Sequence, residues 1–99
     1  MRLTAQQITS IKHTVAVLAG EHARVILFGS RVDDTKKGGD VDLLITLPEQ
    51  VDNPAELSAK MSARLIKQFQ GRKVDVLLKA PNLKMLPIHT IAQQTGVSL

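Results

Sequence analysis

The chain has 99 residues, with 13 Lys and Arg against 9 Asp and Glu, no Cys, and two aromatic residues, Phe28 and Phe69. This length predicts a single domain over residues 1–99, small enough to favour a homo- or hetero-oligomer. The absence of Cys excludes disulfides and Cys-based zinc sites, and the few aromatics and scattered basic residues argue against a nucleic-acid surface.

The sequence shows no sign of membrane insertion or export. No apolar run approaches the roughly 20 residues that span a bilayer. The opening stretch "MRLTAQQITS" lacks the apolar core and cleavage site of a signal peptide. Together with the absence of Cys, these features predict a cytoplasmic protein without a membrane partner.

The chain begins with a pattern typical of an amphipathic helix over residues 4–19. Thr4 and Gln7 have the spacing of a capping box, and apolar residues recur at steps of three and four until Gly20. The β-branched and aliphatic run that follows predicts a buried strand over residues 24–28.

Two further strands and two further helices are predicted downstream. The stretch "DVDLLITL" indicates a second strand, and "RKVDVLLK" indicates a third. Between them, apolar residues four apart predict a helix over residues 54–70. Pro87 begins a last short helix, which Gly96 closes.

The order of these elements predicts an α+β fold of two layers. A short polar loop joins the first two strands, which allows them to run antiparallel. The helix over residues 54–70 is long enough for a crossover that returns the third strand parallel to the second. We therefore expect a small mixed three-stranded sheet flanked by helices, with all acids of the strands near one end of the sheet.

Three aspartates are unusual because they lie in or beside aliphatic strands. Asp40 and Asp42 are two apart, so they share one face of the second strand, and Asp75 lies in the third strand. Neighbouring carboxylates among apolar residues repel each other and are costly to bury. One or two Mg²⁺ ions would remove this cost, since Mg²⁺ binds carboxylates together with substrate phosphates.

The turn after the first strand provides a second candidate feature. Gly29 lets a phosphate approach the backbone, and backbone N–H groups with the Ser30 hydroxyl can hold its oxygens. Arg31 can add a charged contact. Taken singly, each feature has an ordinary interpretation as a turn, a solvated edge or, for Asp75, a charge that protects a strand edge. Their combination favours phosphoryl or nucleotidyl transfer.

The motifs "GS", "DVDLL" and "VDVLL" resemble those of the minimal nucleotidyltransferases (MNT) of the DNA polymerase beta superfamily, and the resemblance covers nearly the whole chain. It implies that Gly29 and Ser30 hold the terminal phosphates of a nucleotide and that Asp40 and Asp42 bind the metals. It further implies that Asp75 helps to bind metal and orients the attacking hydroxyl. Nine residues separate the two motifs here, one fewer than in the family pattern.

In prokaryotes, the small proteins that this chain resembles are often antitoxins paired with helical HEPN-domain ribonuclease toxins. In some of them the antitoxin transfers AMP from ATP to a toxin tyrosine, so the resemblance implies transfer to a hydroxyl of the partner. Because this chain has no Tyr, a tyrosine acceptor would belong to the partner. The alternative is an antitoxin that neutralises its partner by binding alone. Modification of a small molecule is less favoured. The aminoglycoside nucleotidyltransferases, which catalyse such reactions and are related to this family, generally carry an additional helical domain that helps to hold the acceptor. None of the three His residues is assigned a catalytic role.

Overall fold

The computed structural model of the chain describes residues 3–32 and 40–99, with Ser30 and Arg31 described by their backbone alone. No helix in these two ranges is long and apolar enough to cross a membrane. The helices are α1 (Ala5–Ala19), α2 (Pro54–Gln68) and α3 (Pro87–Thr95), the strands are β1 (Arg24–Phe28), β2 (Val41–Thr46), β3 (Val74–Lys79) and β4 (Val97–Ser98), and a 3-10 turn spans Gly29–Val32.

The strands form one mixed sheet in the order β3-β2-β1-β4. Strand β1 runs antiparallel to both β2 and β4, and β2 runs parallel to β3. This confirms the predicted α+β fold and the predicted direction of the first three strands. The predicted number of three strands is wrong, because β4 adds a fourth at the edge of the sheet.

Strand β4 was not predicted because its two residues are too few to show an alternating pattern. It depends on Gly96, where an added Cβ would collide with the Ile26 side chain and the Ala92 carbonyl. The absence of a side chain therefore lets the chain pass close to β1. Leu99 extends the pairing, since its N–H donates to the Val25 carbonyl at 3.0 Å.

The predicted start of α1 is confirmed by its hydrogen bonds. The Gln7 N–H donates to Thr4 Oγ1 at 3.0 Å, and the Thr4 N–H donates to Gln7 Oε1 at 2.9 Å, which completes the capping box. Helix α2 begins at Pro54, as predicted, but ends at Gln68 rather than residue 70. The earlier end follows from the left-handed backbone of Gln70 and Gly71, with φ of 58° and 87°.

The main core lies between one face of the sheet and the pair α1–α2. Helix α1 packs on α2, and α2 packs on β3. Fully buried side chains from both layers fill the space between them: Ile11, Leu27, Leu43, Ile45, Met61 and Leu65. Within the described residues, α3 is the helix that lies on the other face of the sheet, where it contacts β1 and β2. This unequal covering decides where the polar side chains of the strands can lie.

Candidate functional site

Two aspartates face each other across the parallel strands β2 and β3. Asp42 lies directly opposite Asp75, and on its other side it lies opposite Phe28, the last residue of β1. Asp40 immediately precedes β2, and its negative charge acts on Asp42. The structure therefore brings Asp40, Asp42 and Asp75 together at the end of the sheet where β2 and β3 begin.

Asp42 points to the face of the sheet that α3 partly covers. Its neighbours Val41 and Leu43 are fully buried in the main core, and successive side chains of a strand point to opposite faces. Ile88 and Ile91 of α3 line the same groove as Asp42. Access to the acids is therefore from the α3 side of the sheet.

The three acids differ in exposure, although each lies in or beside an aliphatic strand, as the sequence shows. Asp42 is half-buried, whereas Asp40 and Asp75 are exposed. The reason is their position, because Asp40 precedes its strand and Asp75 belongs to β3 at the edge of the sheet. The cost of burying a carboxylate thus falls mainly on Asp42.

The pKa of the Asp42 carboxyl is raised above its ordinary value. Partial burial is the main cause, since it disfavours the charged form, and the negative charges of Asp75 and Asp40 follow. The Asp75 carboxylate can also accept a hydrogen bond from the protonated form of Asp42, which favours that form, while the positive charge of Lys73 opposes these effects. The site therefore carries an excess of negative charge that a further cation would relieve.

Lys73 is a site residue that the sequence analysis missed. Its ammonium lies 3.9 Å from Asp40 Oδ2 and 3.7 Å from Asp75 Oδ1. A signal was present, because residues two apart along an extended chain lie on one side, as Lys73 and Asp75 do. The signal was weak because Lys73 precedes the strand itself and stands in a basic pair with Arg72.

Gly29 is required by a close approach to Asp42. Its φ of +79° belongs to the left-handed region, and an added Cβ would collide with Asp42 Oδ2. A side chain at this position would therefore displace the carboxylate. This contact gives Gly29 a role in placing Asp42, whereas its predicted contact with phosphate stays a prediction.

The roles predicted for Ser30 and Arg31 are not tested by the structure. The backbone of both residues belongs to the 3-10 turn Gly29–Val32, which begins next to Asp42. Their side chains lie outside the described atoms, and the loop of residues 33–39 lies outside the described residues. The shorter spacing between the two motifs falls on that loop, so its effect on the site also stays a prediction.

Within residues 3–32 and 40–99, no group of three or more His, Cys, Asp or Glu side chains is arranged to hold a metal ion. The chemistry of Asp40, Asp42 and Asp75 nevertheless fits Mg²⁺, which prefers carboxylate oxygens. The space beside the acids can also hold a positive group, since the ammonium of Lys73 lies within 4 Å of two of the three acids. Mg²⁺ at this site stays a prediction, with these carboxylates as its candidate ligands.

A groove of about 520 Å³ adjoins the acids and is mainly apolar. Asp42 and Gly29 form its polar end, and Phe28, Ile88 and Ile91 form its walls. Its volume lies in the range of small-molecule sites, which combine apolar walls with a few polar groups. A larger hollow of about 710 Å³ between α1 and β1 contains none of the three acids. The groove beside Asp42 is therefore the better candidate for a ligand.

His89 connects α3 to the end of β3. Its side chain is buried, the Leu86 N–H donates to its Nδ1 at 3.0 Å, and its Nε2 lies 2.9 Å from the Leu78 carbonyl oxygen. Because Nδ1 accepts a hydrogen bond, Nε2 carries the proton and donates to Leu78. His89 therefore fixes the position of α3, and with it the wall that Ile88 and Ile91 form.

Comparison with known families places this geometry in context. A family model described as "nucleotidyltransferase domain", of the polymerase beta superfamily type, matches residues 8–94. The matched range contains both strands that carry acids and the turn that begins at Gly29. Comparison with the curated proteins gives no significant match.

Proposed function

Since the chain belongs to the nucleotidyltransferase domain family, we propose that it transfers a nucleoside monophosphate, AMP from ATP, to a hydroxyl group of a protein partner. The observation that carries this proposal is the pairing of Asp42 with Asp75 across two parallel strands, with Asp40 beside them. Partial burial, followed by repulsion from Asp75 and Asp40, raises the pKa of Asp42, so the site without a bound cation favours the loss of negative charge. Unfavourable negative charge of this kind is expected in the empty state of a site that binds a cation together with a polyphosphate.

The proposed transfer exchanges one phosphate bond for another. The acceptor oxygen forms a bond to the α-phosphorus of the nucleotide, the bond from that phosphorus to its bridging oxygen breaks, and pyrophosphate leaves. Asp75 is exposed and next to Asp42, and we assign it to orient the acceptor hydroxyl and to take up the proton that this hydroxyl loses as the new bond forms. A bound Mg²⁺, held by Asp40, Asp42 and Asp75, would supply neutralisation of the charge on the phosphates.

The turn that begins at Gly29 is assigned to the terminal phosphates of the nucleotide. Its location beside Asp42 supports this assignment, because a polyphosphate must contact the metal-binding acids and its phosphate site at once. Ser30 would contribute its hydroxyl and Arg31 its guanidinium, as the family resemblance implies. The groove walled by Ile88 and Ile91 would receive the apolar part of a bound ligand.

The partner that we propose is a HEPN-domain toxin, with this chain as its antitoxin in the cytoplasm. This part of the proposal rests on the resemblance of the three motifs to minimal nucleotidyltransferases. The chain has no Tyr, so transfer to a tyrosine would have to modify the partner. In this function the acids and the groove must both face the partner, and the position of Asp42 in the lining of the groove supports this arrangement.

The activity is tested by incubating the purified protein with ATP, Mg²⁺ and the product of the neighbouring open reading frame. Intact-mass spectrometry should show one added AMP on the partner, and Asp42→Asn should abolish the addition. Asp52→Asn is the matched control, because it removes one exposed acid in the connection before α2. An unmodified partner in a mixture where the complex has formed would contradict the proposed transfer.

A second candidate function, neutralisation by binding alone, is favoured by the apolar surface of α3 and the segment before it. Met85, Leu86, Ile88 and Ile91 are all between 41% and 51% exposed, which is typical of a contact surface. The double variant Asp40→Asn, Asp42→Asn separates the two functions in cells that express the toxin. Full protection by this variant would favour masking, whereas binding without protection would favour catalysis.

A further inference from the structure

Lys73 is placed by the backbone so that its side chain reaches the acids. The Val41 N–H donates to the Lys73 carbonyl at 3.1 Å, which joins the start of β2 to the residue before β3. This hydrogen bond fixes Lys73 beside the segment that contains both Asp40 and Asp42. The backbone of Lys73 is therefore fixed at this end of the sheet, although its side chain is 66% exposed.

The ammonium of Lys73 contacts the carboxylates that are the candidate metal ligands. It lies within 4 Å of Asp40 Oδ2 and Asp75 Oδ1, and its positive charge partly offsets the rise in the pKa of Asp42 that burial and the other two acids cause. Mg²⁺ requires its oxygen ligands at about 2.0–2.1 Å, so the same oxygens cannot keep the ammonium as a partner without strong repulsion between the two cations. The lysine and a divalent cation therefore compete for Asp40 and Asp75.

We propose that Lys73 is an internal competitor of the divalent cation. In the metal-free protein it pairs with Asp40 and Asp75, and it leaves them when the metal enters. Its presence weakens the binding of the free metal ion. The inference rests on the proposed function, in which these carboxylates are metal ligands, and it adds a positioning residue that sets the metal affinity of the site.

The expected size of the effect follows from the exposure of the pairs. Exposed ion pairs are individually weak, so loss of two of them should tighten metal binding by about two- to tenfold. A larger effect would require a desolvated lysine, which the exposed side chain of Lys73 does not provide. The lysine therefore adjusts the affinity and does not block the site.

The test measures binding of Mn²⁺ to the nucleotide-free protein, using the electron paramagnetic resonance signal of the free ion. Lys73→Met should lower the Kd for Mn²⁺ by about two- to tenfold, and Lys73→Arg, which keeps the charge, should stay near wild type. Lys60→Met is the matched control. It removes one positive charge from an exposed pair on α2, where Lys60 Nζ lies 2.9 Å from Glu56 Oε1.

The outcomes separate this inference from the proposed function. If Asp42→Asn abolishes Mn²⁺ binding but Lys73→Met binds as wild type does, or more weakly, competition by Lys73 is wrong and the metal site stands. If Lys60→Met tightens binding as much as Lys73→Met, the effect is one of net charge and the inference also fails. If wild type and Asp42→Asn bind Mn²⁺ equally, the metal site of the proposed function fails and the inference fails with it.

Discussion

The two faces of the sheet carry different kinds of side chain, although the same strands provide both. On the face under α1 and α2, Val41, Leu43 and Ile45 of β2 are fully buried. On the other face, the same strand presents Leu44, which is also fully buried, and Asp42, which is half-buried beside a groove. The alternation of a single strand thus gives one face that is apolar along β2 and a second face that combines a buried leucine with a charged group.

The difference between the faces depends on how much of each face the helices cover. Helices α1 and α2 have 15 residues each, whereas α3 has nine. The short α3 buries Ala92 and His89 but leaves Ile88 and Ile91 more than two-fifths exposed. A small domain that buries one face well can leave the other open to ligands, at the cost of a marginal overall stability.

The largest expected effect on stability comes from the core face. Leu43→Ala removes a side chain with no exposure and leaves a cavity, so the free energy of unfolding should fall by about 2–5 kcal/mol. Ile91→Ala, at a half-exposed position on the other face, should change it by no more than about 1 kcal/mol. Urea denaturation followed by circular dichroism measures both, and equal losses would contradict the division between the faces.

The second-largest expected effect concerns the attachment of α3 to the open face, by which we mean the face of the sheet that carries Asp42. His89→Ala leaves the Leu86 N–H and the Leu78 carbonyl without their partner and should lower the free energy of unfolding by about 2–3 kcal/mol. His13→Ala, at an exposed position of α1, is the control and should have almost no effect. Amide hydrogen exchange should show faster exchange in α3 of the His89 variant. Unchanged protection there would show that other contacts hold this helix.

A third prediction concerns the junction between the turn and Asp42. Gly29→Ala and Gly71→Ala both place a Cβ on a left-handed residue, with φ of +79° and +87°, so each should cost about 1–2 kcal/mol of stability. Gly29→Ala brings the Cβ into the Asp42 carboxylate, whereas at Gly71 no atom of residues 3–32 and 40–99 lies within 4 Å of the added Cβ. Nucleotidyl transfer should therefore fall by about tenfold or more in Gly29→Ala alone, since small displacements at a reacting centre are costly. Equal activities of the two variants would remove the argument for this contact.

The sequence predicted the elements of this molecule better than the detail of its open face. Local signals placed the capping box of Thr4 and Gln7, the strand at 24–28 and the start of α2 at Pro54, because caps, alternation and proline act over a few residues. Strand β4 was missed because its two residues are paired through the close approach at Gly96, which only the tertiary structure reveals.

The site was predicted in part, for a related reason. The period of two and the parallel crossover were enough to bring Asp42 and Asp75 to the same end of the sheet. Exposure of Asp40 and Asp75 stayed one of the alternatives, because it depends on the sheet edge and on the extent of α3. The contact of Lys73 with Asp40 joins residues distant in sequence, and so does the groove of Asp42, Ile88 and Ile91, and no local pattern links the members of either set.

The smallest expected effect concerns the charge of the open face itself. Asp42→Asn removes the half-buried carboxylate whose pKa is raised by burial and by Asp75 and Asp40, so the metal-free fold should become more stable at neutral pH. Because the group is partly solvated, the rise in Tm should be smaller than the roughly 4–8 °C that 1 kcal/mol gives a domain of this size. Asp52→Asn makes the same change in net charge, from +4 to +5, at an exposed position and should not raise Tm.

The stability gained by Asp42→Asn should depend on pH, in a direction that the raised pKa of Asp42 determines. The pKa of Asp42 is higher in the folded state than in the unfolded state, so the ionised group destabilises the fold fully at a pH above both values. As the pH falls through the raised pKa, the folded state takes up the proton first, and the advantage of Asp42→Asn over wild type should shrink. It should vanish below the ordinary Asp pKa of about 3.9. Melting curves in a chelator from pH 7 to pH 3 measure this difference. If the difference in Tm between Asp42→Asn and wild type grew as the pH fell, the folded protein would stabilise the negative charge of Asp42. This result would contradict the proposal that the site needs a cation to neutralise that charge.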